Sequence, residues 1–137
     1  MLWHLQGGLV GSEFDNKEVV KKNPDEYRTK TTVPILEIFK RFGTPAEIDY
    51  LSLDVEGAEQ LVMEGFPFDR YRFNVMTIER PSEGLRKLLV SVGYKQLKEL
   101  KSWGETLWIH KAMEKAIDPS ALEMNTEHYS YREKPRK

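Results

Sequence analysis

A chain of 137 residues, 39% hydrophobic and 31% charged, can bury one core and has the mixture of a soluble globular domain. A net charge of -1 lacks the basic excess with which proteins hold phosphate backbones, so no nucleic-acid partner is expected. The absence of cysteine excludes disulfides, thiolate metal sites and thiol nucleophiles, and no apolar run approaches the roughly 20 residues that span a bilayer.

The opening, "MLWHLQGGLVGSEFDNKEVVKKNPDEYRTK", lacks the basic flank and longer apolar segment of a secretory signal, so it indicates no compartment. It starts like a short strand, breaks at Gly7, Gly8 and Gly11, and continues as charged, unpatterned loop. The signals sharpen at Val33. Pro34 suits the first helical position, Ile35, Ile38, Phe39 and Phe42 recur at helical spacing, and Gly43 with Pro45 supplies a stop. This predicts a helix with one buried face. The near-continuous apolar run from Ile48 to Val55 predicts a parallel strand, covered on both faces and central in its sheet.

Ala58, Leu61 and Val62 then mark one side of a short helix ending near Gly65. Phe73 to Glu79 forms a second buried-type strand, and Pro81 with Ser82 opens a helix whose Leu85, Leu88, Leu89 and Val92 make a stripe ending at Gly93. Strands alternating with helices imply a parallel α/β sheet. "YKQLKEL" and "ETLWIH" are separated only by "KSWG", too short for a crossover, so they close the sheet with an antiparallel hairpin. Residues 1–111 make up the expected domain, and the charged, weakly patterned residues 112–137 its flexible tail.

This order places acids at strand ends. Asp54 closes the first parallel strand, Glu56 and Gly57 form the turn after it, and Glu79 closes the second. In open α/β sheets ligands bind outside the carboxyl ends of the strands, so these acids converge on one rim. Gly57 permits a tight turn or a close backbone approach, and the amides of the next helix could receive a polar ligand group. Carboxylates so placed accept hydrogen bonds, act as bases or hold a metal.

Plainer readings stand beside these. Asp54 or Glu56 taken singly could merely cap the next helix. Glu59 and Glu64 read as a solvated helix face. The glycines of "GGLVGS" lack the preceding strand and following helix of a phosphate loop and read as a turn. His4, His110 and His128 have no ligand spacing, so no metal site is assigned. Trp103, in the hairpin turn, is either a contact residue or folds back on the sheet.

The run "TTVPILEIFKRFGTPAEIDYLSLDVEGAEQLVMEGFPFDRYRFNVMTIE", with "LLVSVGYK" and "ETLWIH" after it, resembles the FkbM-type methyltransferases, which use S-adenosylmethionine. The likeness covers Thr31 to His110, and "IDYLSLDVEGAE" with "MEGFPF" and the strand ending in Glu79 is its most specific part. The resemblance implies a Rossmann-like class I methyltransferase sheet of about seven strands, one antiparallel. It implies methyl transfer to oxygen, often of a sugar or another hydroxylated metabolite. Carried over through "DVEG", it places Asp54, Glu56 and Glu79 as catalytic residues and Asp54 and Gly57 against the cofactor.

The family's upstream strand, Gly-rich turn and ribose-binding acid find no counterpart in residues 1–30, so the chain is expected to be the C-terminal part of such a domain. S-adenosylmethionine would then bind only with the N-terminal half supplied. A competing function is a noncatalytic module that binds a partner, or a second copy, through an open sheet edge or the tail. A hydrolase using Asp54 and Glu79 is a third reading, without a recognisable sugar-binding cleft in its support.

Overall fold

The structure is a computed structural model describing residues 30–100 and 104–118, together with Leu9 and Ser120. The expectations for Gly7, Gly8, Gly11, His4, Trp103, His128 and residues 121–137 lie outside the described residues.

Three α-helices and four strands follow in the order α1 (Ile35–Phe42), β1 (Glu47–Leu53), α2 (Glu59–Met63), β2 (Arg72–Glu79), α3 (Glu83–Ser91), β3 (Tyr94–Glu99) and β4 (Glu105–His110), with a 3-10 turn at Lys111–Met113 after them. Pro34 stands one residue ahead of α1. At the other end Gly43 takes φ 61°. That left-handed turn brings the Thr44 N–H to the Phe39 carbonyl at 2.9 Å, closing the helix end. The expected buried face is only partly realised. Ile35 and Phe39 pack on the core, whereas Ile38 and Phe42 are exposed, because no described element covers that side.

The four strands form one mixed sheet in the order β1-β2-β4-β3. β1 and β2 are parallel, with Ile48 opposite Phe73 and Leu53 opposite Ile78. β2 pairs antiparallel with β4, and β4 with β3, which gives the expected hairpin. One expectation is corrected: among the described residues β1 is an edge strand, with Asp49, Tyr50 and Ser52 exposed. The central place belongs to β2, where Phe73, Asn74, Met76, Thr77 and Ile78 are all buried. Both strands are apolar enough for the centre, and strand order, which periodicity does not encode, decides between them.

The core joins Leu53, Met63, Phe66, Phe73, Met76, Ile78, Leu85, Leu89, Tyr94 and Trp108. Phe39 reaches it edge-on, with ring centroids 6.1 Å from Phe66, 5.2 Å from Tyr71 and 6.3 Å from Phe73. Aromatic pairs at such spacing favour this geometry and anchor α1 over the start of β2. Ser82 caps α3 by accepting the Leu85 N–H at 3.1 Å, and Leu85 and Leu89 turn the helix's apolar stripe inward.

α2 inverts part of the sequence reading. Leu61 is exposed, whereas Glu59 is 4% exposed and lies beside the fully buried Met63. In a helix of five residues, positions 59 and 63 share a face, and docking Met63 in the core takes Glu59 in with it. Glu64 is exposed as expected.

Candidate functional site

The parallel pairing of β1 and β2 sets their carboxyl ends side by side. Asp54 follows the last residue of β1, and Glu79 is the last residue of β2. Asp54 is exposed and Glu79 half-buried. Burial raises Glu79 above the ordinary carboxylate range. The hydrogen bond and charge of Asp54 push the same way, against the opposing pull of Arg80. The Arg80 guanidinium donates to Glu79 at 3.1 Å and comes within 3.9 Å of Glu56. Arg80 thus joins Glu56 and Glu79, and Asp54 meets Glu79 directly, so the three acids that the sequence placed at the two strand ends share one rim.

Backbone strain gathers at the same rim. Glu56 at φ 56° and Arg80 at φ 41° are the described non-glycine residues with positive φ, and each sits just beyond the end of a parallel strand. Such conformations persist only where the surroundings impose them. Gly57 continues the first turn at φ 93°, which a residue with a Cβ seldom adopts.

Glu59 is the residue that sequence reasoning missed. Its Oε1 accepts the N–H of Val55 at 3.0 Å and that of Gly57 at 3.3 Å. The Gly57 amide is therefore engaged by the protein itself. Oxygens of Asp54, Glu59 and Glu79 all lie within 4.8 Å of one another, a spacing that could hold a cation. The available signal was position: an acid on the same helical face as Met63.

His110 lies at the opposite, amino end of the parallel strands. A cavity of about 300 Å³ there is lined in part by Glu47, Arg72, Tyr94 and His110. The Nδ1 of His110 accepts the Ala112 N–H at 3.2 Å, and burial holds its pKa below the ordinary histidine value, with Arg72 and Lys111 acting in the same direction. Its role here is packing and capping, in keeping with the absence of ligand spacing.

The family model of the FkbM methyltransferase domain matches residues 7–96, most of the chain. The chain belongs to that family. The match spans α1, the acid-bearing turn, both parallel strands and α3. No curated protein and no solved structure gives a significant match to it. Membership makes methyltransferase chemistry the general expectation, and no helix among the described residues is long and apolar enough to cross a membrane.

Proposed function

We propose that the chain carries the carboxyl-rim part of an S-adenosylmethionine-dependent methyltransferase that methylates a hydroxyl of a sugar or another hydroxylated metabolite. The observation that carries this reading is the pairing of Asp54 with Glu79 across the adjacent ends of two parallel strands. Two carboxylates that repel one another and share a rim suit a cationic ligand, so the donor set fits a sulfonium cofactor. When bound, S-adenosylmethionine supplies a methyl group made transferable by its positive sulfur.

Asp54 and Gly57 are the residues assigned to hold the cofactor, Asp54 by charge and Gly57 by allowing close approach at an exposed, Cβ-free position. Glu79 is suited to take the acceptor hydroxyl's proton as its oxygen reacts, because a raised pKa makes it a better base than an ordinary carboxylate. Glu56 positions Arg80, whose guanidinium moderates the charge at Glu79. Transfer therefore depends on positioning and on one proton acceptor.

We further assign residues 1–111 to the C-terminal part of a Rossmann-like domain and residues 112–137 to a charged tail. In support, the outer edge of β1 is unpaired among the described residues, where a larger sheet would continue. The same edge favours a second reading, a module that pairs with a partner strand or with another copy. Methyl transfer from S-adenosylmethionine to a hydroxylated acceptor, measured on a chain extended upstream, separates the two. Asp54→Asn and Glu79→Gln should each lower kcat by about a hundredfold or more, the usual contribution of a placed acid or base. Full activity in both variants removes the catalytic assignment, and micromolar cofactor binding by the 137-residue chain in titration calorimetry removes the need for an upstream half.

A further inference from the structure

A buried carboxylate that the proposed reaction does not use stands directly behind the rim. Glu59 is 4% exposed, and an acid so far from water is tolerated only where its oxygens are filled. Oε1 is filled from the turn before it, by the amides of both Val55 and Gly57. Those amides bracket Glu56, the residue held at φ 56°, and the second belongs to Gly57 at φ 93°.

Asp54 needs such a restraint. The ladder between β1 and β2 ends at Leu53 opposite Ile78, so no strand pairing fixes the direction of the next residue. The chain is next anchored at Ala58, which is buried, accepts the Val62 N–H at 3.0 Å and donates its own N–H to the Val55 carbonyl at 3.4 Å. Between the two anchors lie Asp54, Val55, Glu56 and Gly57, a stretch with two left-handed residues that would relax if released. Glu59 reaches back across that gap, as a capping side chain does from the first turn of a helix.

We propose that Glu59 is a positioning residue whose buried carboxylate clamps the Asp54–Ala58 turn and so holds Asp54 against Glu79. The proposal deepens the methyltransferase reading, on which its functional meaning rests, but its geometry is testable without cofactor. The clamp needs an acceptor oxygen at this reach rather than a charge, so the carboxamide of Glu59→Gln can replace it and the methyl group of Glu59→Ala cannot.

The test is NMR on the isotope-labelled whole chain, comparing wild type, Glu59→Ala and Glu59→Gln. It follows amide exchange at Val55 and Gly57 and the pH titration of the Glu79 carboxyl carbon. Glu59→Ala should speed exchange at both amides by about tenfold or more, while β2 and β4 keep their protection. The Glu79 midpoint should then fall toward the ordinary carboxylate range, as the turn opens to water and Asp54 moves away. Glu59→Gln should keep both amides protected and the midpoint raised. Unchanged exchange and titration in Glu59→Ala would overturn the clamp, as would a Glu59→Gln variant that behaves like alanine. If alanine unfolds the sheet, glutamine alone decides: retained protection supports the clamp and lost protection overturns it. Absence of methyl transfer in every chain would count against the transferase reading without touching these readouts.

Discussion

Replacing Thr106 by valine probes how β2 is held where it delivers Glu79 to the rim. Thr106 is fully buried in β4, opposite Ile78. Its hydroxyl donates to the Ile78 carbonyl at 3.0 Å and accepts the Trp108 indole N–H at 2.8 Å. Valine keeps the shape and the β-branch while removing both contacts. The indole, 1% exposed, loses its acceptor in a place that water does not reach, at a cost of about 1–3 kcal/mol. The lost hydroxyl bond adds roughly 0.5–1.5 kcal/mol. Burying a methyl in place of the hydroxyl returns about 0.8 kcal/mol. The balance is a loss of about 2 kcal/mol, or a Tm lower by roughly 5–15 °C for a domain of this size. Thermal unfolding followed by circular dichroism measures it, and Trp108→Phe in the same background supplies a control: with the indole N–H gone, Thr106→Val should cost about 1–3 kcal/mol less. A Thr106→Val chain as stable as wild type would refute the claim that this relay ties β4 to the end of β2.

Two further outcomes follow from pH. The folded-state pKa of Glu79 is raised, so the stability contributed by its neutral form is complete below the ordinary value of 4.5 and is lost as pH rises through the raised value. Glu79→Gln should therefore be more stable than wild type at neutral pH, with the gap closing in acid and with at most about 1 kcal/mol offset by losing the half-exposed Arg80 pair; equal stability at neutral and acid pH would contradict this. Tyr94, raised above its ordinary value of 10.0 chiefly by burial, contributes stability that is complete below that value and is lost as pH climbs through the raised one. Tyr94→Phe should lack this alkaline loss yet be about 1–3 kcal/mol less stable at neutral pH, because its hydroxyl accepts the buried Phe73 N–H at 3.0 Å; denaturant titrations at neutral and alkaline pH show both effects.

The sequence by itself determined the elements and the rim. Strand-length apolar runs, helical spacing of leucines, the Ser82 cap, the Gly43 stop and a hairpin connection too short for a crossover are local signals, so they stayed true once the chain folded. Because Asp54 and Glu79 close consecutive parallel strands, their convergence also followed from order along the chain. Tertiary structure alone decided the rest. It put β2 rather than β1 at the centre of the described sheet, since pairing order is settled by which edges meet. It left Ile38 and Phe42 uncovered, because periodicity marks a face but not whether a neighbour reaches it. It also reversed Leu61 and Glu59: docking Met63 fixed the rotation of a one-turn helix, and the acid carried inward found its partners in the amides of the preceding turn. Hydropathy assigns a charged residue to water, but where backbone amides hydrogen-bond to its carboxylate, packing and hydrogen bonding outweigh that preference.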